Sequence, residues 1–383
     1  MIIGLVGKPS AGKSTFFKAA TLAEVEIAAY PFTTIKPNRG VGYVKVDCIE
    51  KDFGVKCTPA HGFCINGNRF VPVELMDVAG LVPGASEGKG LGNQFLDDLR
   101  QADVFIHIVD ISGTTDSEGK PAINHDPYKD IMFLENELNR WFYNIMTKIW
   151  KTFVRKIEQE KGNFVEAISK QFSGLKVTEN QVKRVLSRLR LPERPIDWSD
   201  DQLFWFASEL RTESKPTIIA ANKVDLEKGI PNYQLMKMKF PGLIIMPCSA
   251  DSELALREAA KSGLIDYIPG ERDFKINGLL TPEQEEALSK IKESVLEILN
   301  HAGLKLLKYI AIFPAGASKL MDSKGRVLPD CFLLPSGSTA LDFAYHLHTD
   351  FGKNFIKAID AKTKRIIGKD HELKHRDALE IVT

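Results

Sequence analysis

"GLVGKPSAGKSTFF", residues 4–17, is the stretch on which the fold turns. Met1 to Val6 reads as a short buried strand, and from Phe16 onward the pattern is helical. The turn between them, Gly7 to Ser14, fits G-x-x-x-x-G-K-[ST]. Glycines let the backbone come close to an anion, successive N–H groups form a nest, and the helix start adds the positive end of its dipole. Gly7, Lys8, Pro9, Ser10, Ala11, Gly12, Lys13, Ser14 and Thr15 are therefore the expected phosphate-holding residues. Lys13 is expected at the terminal phosphates, and the Ser14 hydroxyl on a magnesium ion. A chance glycine turn is the competing reading, and the strand before and helix after weigh against it.

The chain has 383 residues, enough for two or three domains. Apolar residues make up 44% and charged residues 26%, the balance of ordinary globular cores. A net charge of +1 excludes a bulk polyanion binder, so any nucleic-acid contact must come from a local patch. No apolar run approaches the roughly 20 residues of a membrane span, and the first strand leaves no room for a signal peptide. The expectation is a soluble, cytoplasmic chain with no membrane partner, and nothing demands more than a monomer. Five cysteines is an odd count that argues against a disulfide framework. Cys57, His61 and Cys64, with Cys48 upstream, offer four zinc ligands, yet their spacing matches no standard finger or ribbon. Reduced cysteines in a small hairpin extension is the plainer reading.

Further apolar runs of strand type are Val71 to Met76, Val104 to Val109, Thr217 to Ala221 and Leu243 to Pro247. They alternate with helical stretches, the pattern of a parallel sheet wrapped by helices, whose ligands sit at the carboxyl ends of strands. Residues 124–214 interrupt the alternation. Trp141, Phe142, Ile145, Ile149 and Phe153 recur at helical spacing there, so a helical insert is expected. Between Lys148 and Arg190 eleven Lys/Arg stand against four Glu, a solvated face or an RNA or ribosome contact. After Ile268 comes a connecting helix with Thr281 as N-cap, Pro282 in its first turn and Gly303 at its close. The remainder reads as strands around "TALDFAYHLHTDFG", taken as one helix, which makes a small α+β module. The expected division is 1–123 and 215–270 for the nucleotide-binding α/β domain, 124–214 for the insert, 271–302 for the connecting helix and 303–383 for the last module.

Three more motifs fall at strand ends. "ELMDVAG" places Asp77 and Gly80 as D-x-x-G: a carboxylate to hold magnesium through water, and a backbone N–H to sense a third phosphate. "IIAANKVDL" supplies Asn222, Lys223 and Asp225. Asp225 can accept two hydrogen bonds from the N1–H and 2-amino edge of guanine, whereas adenine would leave the carboxylate unpaired. Lys223 would lie along the base and Asn222 would tie this loop to the phosphate loop. "MPCSAD" adds Ser249 and Ala250 as a backbone contact for the guanine carbonyl. In "YPFTTIKPNRGVG", Thr34, with Thr33 as the alternative, is the loop threonine that would bind magnesium when the third phosphate is present. Lys13, Thr34 and Gly80 are thus the candidates for phosphate chemistry.

Taken together, "YPFTTIKPNRG", "DVAGLVPGASEGKGLGNQFLDDLR", "NKVD" and the C-terminal "LPSGSTALDFAYHLHTDFGKNFIKAIDAKTKRIIGKDHELKHRDALEIV" resemble the Obg-related GTPases, specifically their YchF-like branch of archaeal type. The resemblance spans nearly the whole chain. It implies a P-loop GTPase domain with a helical insert and a C-terminal TGS domain, a ubiquitin-like β-grasp. It also implies GTP and GDP as ligands, magnesium as cofactor, and a ribosome or RNA partner reached through the TGS domain and the basic insert.

Three departures qualify this picture. Bacterial and eukaryotic YchF proteins have an altered base motif associated with ATP use, while Asn222-Lys223-Val224-Asp225 is intact here, so GTP is expected. Many relatives carry an asparagine associated with potassium-stimulated hydrolysis where this chain has Ser10. Leu81 stands where Ras-like enzymes place a water-orienting glutamine, so slow intrinsic turnover is expected. An ATP-hydrolysing enzyme and a nucleotide-gated scaffold without turnover are the competing readings.

Overall fold

The computed structural model describes residues 1–21, 39–77, 99–271, 273–278, 294–316, 319–322 and 324–383. Thr33, Thr34, Gly80, Leu81, Thr281 and Pro282 lie outside the described residues. Along the chain the elements are β1 (Ile2–Val6), α1 (Lys13–Thr21), β2 (Arg39–Asp47), β3 (Phe63–Ile65), β4 (Asn68–Asp77) and β5 (Val104–Asp110). Five helices follow: α2 (Pro127–Thr147), α3 (Trp150–Gln159), α4 (Phe164–Gln171), α5 (Glu179–Arg188) and α6 (Asp200–Ser214). Then come β6 (Thr217–Asn222), α7 (Gly229–Lys239), β7 (Ile244–Pro247), α8 (Ala250–Lys261), β8 (Ile265–Tyr267), β9 (Phe274–Ile276) and α9 (Val295–Asn300). The last are β10 (Tyr309–Pro314), β11 (Phe332–Pro335), α10 (Ala340–Leu347), α11 (Thr349–Lys353), β12 (Lys357–Asp360), β13 (Ile366–Ile367) and β14 (Asp377–Val382). The chain divides into two compact units, one of residues 2–17 and 75–252, the other of residue 1, 18–74 and 253–383.

In the first unit β1, β5, β6 and β7 run parallel in that order, with Val6 opposite His107, Asp110 opposite Asn222 and Ala221 opposite Pro247. All seven residues of β5 are buried, as expected of a strand covered on both faces. Between β5 and β6 sit α2 to α6. Their starts are written in the sequence: Asp126 caps α2 with Pro127 in the first turn, and Thr178-x-x-Gln181 and Ser199-x-x-Gln202 form capping boxes for α5 and α6. Trp141 and Phe142 are buried, with Ile145, Ile149 and Phe153 packed on the same core. Trp198 stacks on Trp150 at 5.4 Å and meets Phe206 edge-on at 5.0 Å. Arg211, buried on α6, donates to Asn139 and pairs with Glu135, both on α2. Much of the basic face is neutralised within this unit: Arg184 and Arg188 pair with Glu213, Lys183 with Glu179, and Lys176 with Asp103.

In the second unit β3 and β4 form a hairpin on Asn66-Gly67, and β2 lies beside β4. The helix α9 does not close at Gly303. It continues as π-helical backbone from His301 to Leu306, and Gly303 is there for packing: a Cβ would stand 3.0 Å from Met1 Cε and 3.4 Å from Val44 Cγ2. The C-terminal strands form a five-stranded mixed sheet, β11-β10-β14-β12-β13, with β10 and β14 parallel and the other pairs antiparallel. "TALDFAYHLHTDFG" is two helices, not one. His348 is extended (φ −163, ψ 144) between α10 and α11 and accepts the Asp350 N–H on Nδ1, which caps the second helix. Among the described residues no helix is long and apolar enough to cross a membrane.

Candidate functional site

Every described nucleotide-site candidate lies in the unit of residues 2–17 and 75–252, at or just beyond the carboxyl ends of its strands. Gly7 and Gly12 shape the loop after β1. Gly7 has φ +152, and a Cβ there would stand 2.4 Å from the Ile108 carbonyl oxygen; Gly12 has φ +94, and its Cβ would stand 2.2 Å from Asn222 Nδ2. Only glycine fits either position. Ser10, exposed at the loop tip, has φ +60.

Lys13 opens α1 and is buried, with Nζ donating to the carbonyls of Gly7 (3.1 Å) and Lys8 (2.7 Å). Burial lowers its pKa to about 8, against the opposing pull of the Asp77 carboxylate. Ser14, one residue on, donates to Asp77 Oδ2 at 3.5 Å. Burial raises the Asp77 pKa, partly offset by Lys13 and Ser14. A hydroxyl and a carboxylate brought together at a strand end are the hard oxygen ligands that magnesium takes, so the residues present fit that ion. Lys8 is different in kind. Its buried ammonium is 2.7 Å from Asp130 and donates to the Thr115 carbonyl, so this side chain braces the loop from beneath.

The second cluster is built on Asn222, the last residue of β6. Its Nδ2 donates to the Ala11 carbonyl at 3.0 Å, and its Oδ1 accepts the Ala250 N–H at 3.0 Å. One side chain thereby joins the phosphate-type loop, the end of β6 and the start of α8. Lys223, at φ +65, reaches back to the Ser10 carbonyl (3.1 Å) and to Asp110 (2.9 Å). Asp225 is exposed, and Ser249 is buried with its hydroxyl on Ser252 at 2.7 Å.

Asp110 is a residue of this cluster that sequence reasoning missed. Fully buried at the end of β5, it accepts from Ser112, Thr114, Thr115 and Lys223. Burial alone would raise its pKa, but the hydrogen bonds from Ser112, Lys223 and Thr115 and the Lys223 charge prevail and take it to about 2. The signal was a lone aspartate closing an otherwise apolar strand, followed by three hydroxyl residues within five positions.

Comparison with known proteins gives three matching families along the chain. A model described as 50S ribosome-binding GTPase matches residues 2–145, one described as the G4 motif-containing domain of YGR210-like Obg-like GTPases matches 220–316, and a TGS domain matches 319–383. A GTP-binding protein of Methanocaldococcus jannaschii is 47% identical over 100% of this chain and 99% of its own length. The chain belongs to the Obg-like, YchF-type GTPases. The crystal structure of a GTP-binding protein from Pyrococcus horikoshii superimposes with a TM-score of 0.79 at 40% identity, covering 100% of both chains. The protein named ribosome-binding ATPase YchF in Bacillus subtilis is 30% identical over 93% of this chain and 86% of its own. Fold and family are thus those that the motifs implied: a P-loop GTPase domain followed by a C-terminal TGS domain.

Proposed function

We propose that this member of the family is a guanine-nucleotide switch that binds GTP and GDP, hydrolyses GTP slowly with magnesium, and acts on the ribosome. The observation that supports the guanine reading is the Asn222 junction, which bonds to the Ala11 carbonyl and the Ala250 N–H, with Lys223 next to it reaching the Ser10 carbonyl and Asp225 two residues further on. Asp225 is exposed, so the incoming base itself must desolvate the carboxylate before the N1–H and 2-amino pair can discriminate. The loop N–H groups of Gly7 to Thr15, Pro9 excepted, and the Lys13 ammonium hold the phosphates, and Ser249 and Ala250 flank the base. Ser14, Thr34 and Asp77 would hold the magnesium ion. When bound, magnesium neutralises charge on the terminal phosphates. Gly80 is assigned to the third phosphate through its backbone N–H, and Leu81 cannot orient water, which supports slow turnover. In this reading residues 1–123 and 215–270 form the nucleotide domain, 124–214 the insert, 271–302 the connection and 303–383 the TGS module of a monomer.

ATP is the second reading, because the B. subtilis relative is named an ATPase. Competing GTP and ATP against a labelled guanine nucleotide separates the two. Asp225→Asn should move preference toward xanthine, whose 2-oxo group accepts from the new amide. A variant that still prefers GTP over XTP by the parental ratio would refute the base assignment. Ribosome binding rests on the relative's name and on a TGS module with a basic insert; co-sedimentation with ribosomal subunits in the GDP form and with a non-hydrolysable GTP analogue tests it. No co-sedimentation in either state would remove the ribosome from the proposal.

A further inference from the structure

Three of the five cysteines, none used by the nucleotide chemistry, converge in the other compact unit. Cys48 follows β2, Glu50 lies in the short 3-10 turn Ile49–Lys51, Cys57 is in the loop beyond, and Cys64 is in β3. The three Sγ atoms and a Glu50 carboxylate oxygen all lie within 4.8 Å of one another. His61, the fourth ligand that sequence spacing offered, is elsewhere: its Nδ1 is 2.7 Å from Asp330. We infer that Cys48, Cys57, Cys64 and Glu50 form a closed structural zinc site.

Geometry comes first. Four ligands around zinc with Zn–S of about 2.3 Å put neighbouring sulfurs about 3.8 Å apart, and a sulfur and a carboxylate oxygen about 3.5 Å apart. Cys48 Sγ and Cys57 Sγ are separated by 3.7 Å, and Cys64 Sγ and Glu50 Oε1 by 3.8 Å. A disulfide needs about 2.05 Å, and all five cysteines are free thiols. Glu50 is already aimed, since its Oε2 accepts the Cys57 N–H at 2.9 Å and so turns Oε1 toward Cys64. An oriented ligand of this kind is what a metal site needs.

Charge points the same way. Arg69 is fully buried and stands directly across the β3–β4 hairpin from Cys64. Its two terminal nitrogens donate to the Leu328 and Pro329 carbonyls, which are neutral, and its Nε has no partner. Among the described residues no carboxylate pairs with it. A buried cation demands nearby negative charge, and thiolates at Cys48, Cys57 and Cys64 supply it. A divalent cation lets all three ionise together. The site would fasten the loop between β2 and β3, which pairs backbone to backbone with residues 327–329 through Thr58 and Ala60.

The test is the metal content of the full chain, purified under reducing conditions from zinc-supplemented culture and passed into metal-free buffer. We expect one equivalent of zinc by mass spectrometry. Cobalt in its place should give thiolate charge-transfer absorption and tetrahedral visible bands. Cys57→Ser and Cys64→Ser should bring zinc to background, Glu50→Gln should weaken it at least about tenfold, and His61→Ala should leave it unchanged. Wild-type protein that takes up neither metal would overturn the proposal, whatever the variants do. So would a Cys48–Cys57 disulfide seen by intact mass, or zinc lost in His61→Ala and kept in Glu50→Gln.

Discussion

Gly12→Ala offers a sharp check on the junction between the two halves of the site. The new Cβ would stand 2.2 Å from Asn222 Nδ2 at a φ of +94. Placing alanine in that region costs about 1–2 kcal/mol. Displacing Asn222 from the Ala11 carbonyl leaves buried polar groups unpaired, another 1–3 kcal/mol or so. Asn222→Ala alone should cost a similar total of about 3 kcal/mol, since it orphans the Ala11 carbonyl and the Ala250 N–H together. In the double variant the clash is gone and only the backbone strain is added, so the expected total is about 4 kcal/mol, not the roughly 6 of simple addition. Urea unfolding followed by tryptophan fluorescence reads this directly. All four tryptophans, Trp141, Trp150, Trp198 and Trp205, lie in the same compact unit as Gly12. Costs that add to within about 0.5 kcal/mol would refute the contact. Gly7→Ala is the contrast: its Cβ meets the Ile108 carbonyl, and no side-chain truncation relieves a clash with backbone.

Three further outcomes are expected. Because burial brings Lys13 to about 8, nucleotide affinity should be flat below pH 7 and decline as pH rises through 8, when binding must first return the proton. By pH 9 the loss is about tenfold relative to Lys13→Arg, which stays charged; isothermal titrations giving parallel profiles for the two proteins would dismiss the idea. Asp110→Asn should weaken GDP binding about tenfold, or 1.4 kcal/mol, by releasing Lys223 from the Ser10 loop, and unchanged affinity would count against that role. Lys215, fully buried with its ammonium on the Arg100 and Ala102 carbonyls, has its pKa lowered by burial to about 7. Between about 7 and 10.5 the unfolded chain holds a proton that the folded chain has released, so stability should rise with pH across that window. Lys215→Met should flatten the rise, and an identical slope in urea midpoints would exclude Lys215 as its source.

The parts of the fold legible in the sequence are those set by local chemistry. Continuous apolar runs gave β4 to β7, helical spacing of Trp141, Phe142, Ile145, Ile149 and Phe153 gave the insert, and the glycine-lysine-serine turn gave the loop before α1, whereas the capping boxes that start α5 and α6 went unread. What escaped depends on distant residues meeting. The buried Lys8–Asp130 pair joins positions that no spacing relates, and Asp110 becomes a hub only because Lys223 arrives from the next strand. The cysteine cluster was half visible. Spacing nominated His61 in place of Glu50, because only the Asn66-Gly67 hairpin and the Glu50 bond to the Cys57 N–H reveal which acceptor faces the sulfurs. Likewise His348 looked like the interior of one helix until its ring was seen capping the next.

The position of the helical insert has a consequence for how the sheet assembles. Phe105 and Thr217 are paired neighbours on β5 and β6 yet stand 112 positions apart (217 minus 105). Closing a flexible loop of that length costs about 4 kcal/mol of chain entropy before any strand contact forms. Arg211 on α6 bonds to Glu135 and Asn139 and so joins the two ends of the insert, a contact that would shorten the path if made before the strands pair. The loop left to close is then about 36 residues, cheaper by about 1 kcal/mol. If the insert docks helix on helix while β5 and β6 are still apart, the central strands are left with the shorter loop to close.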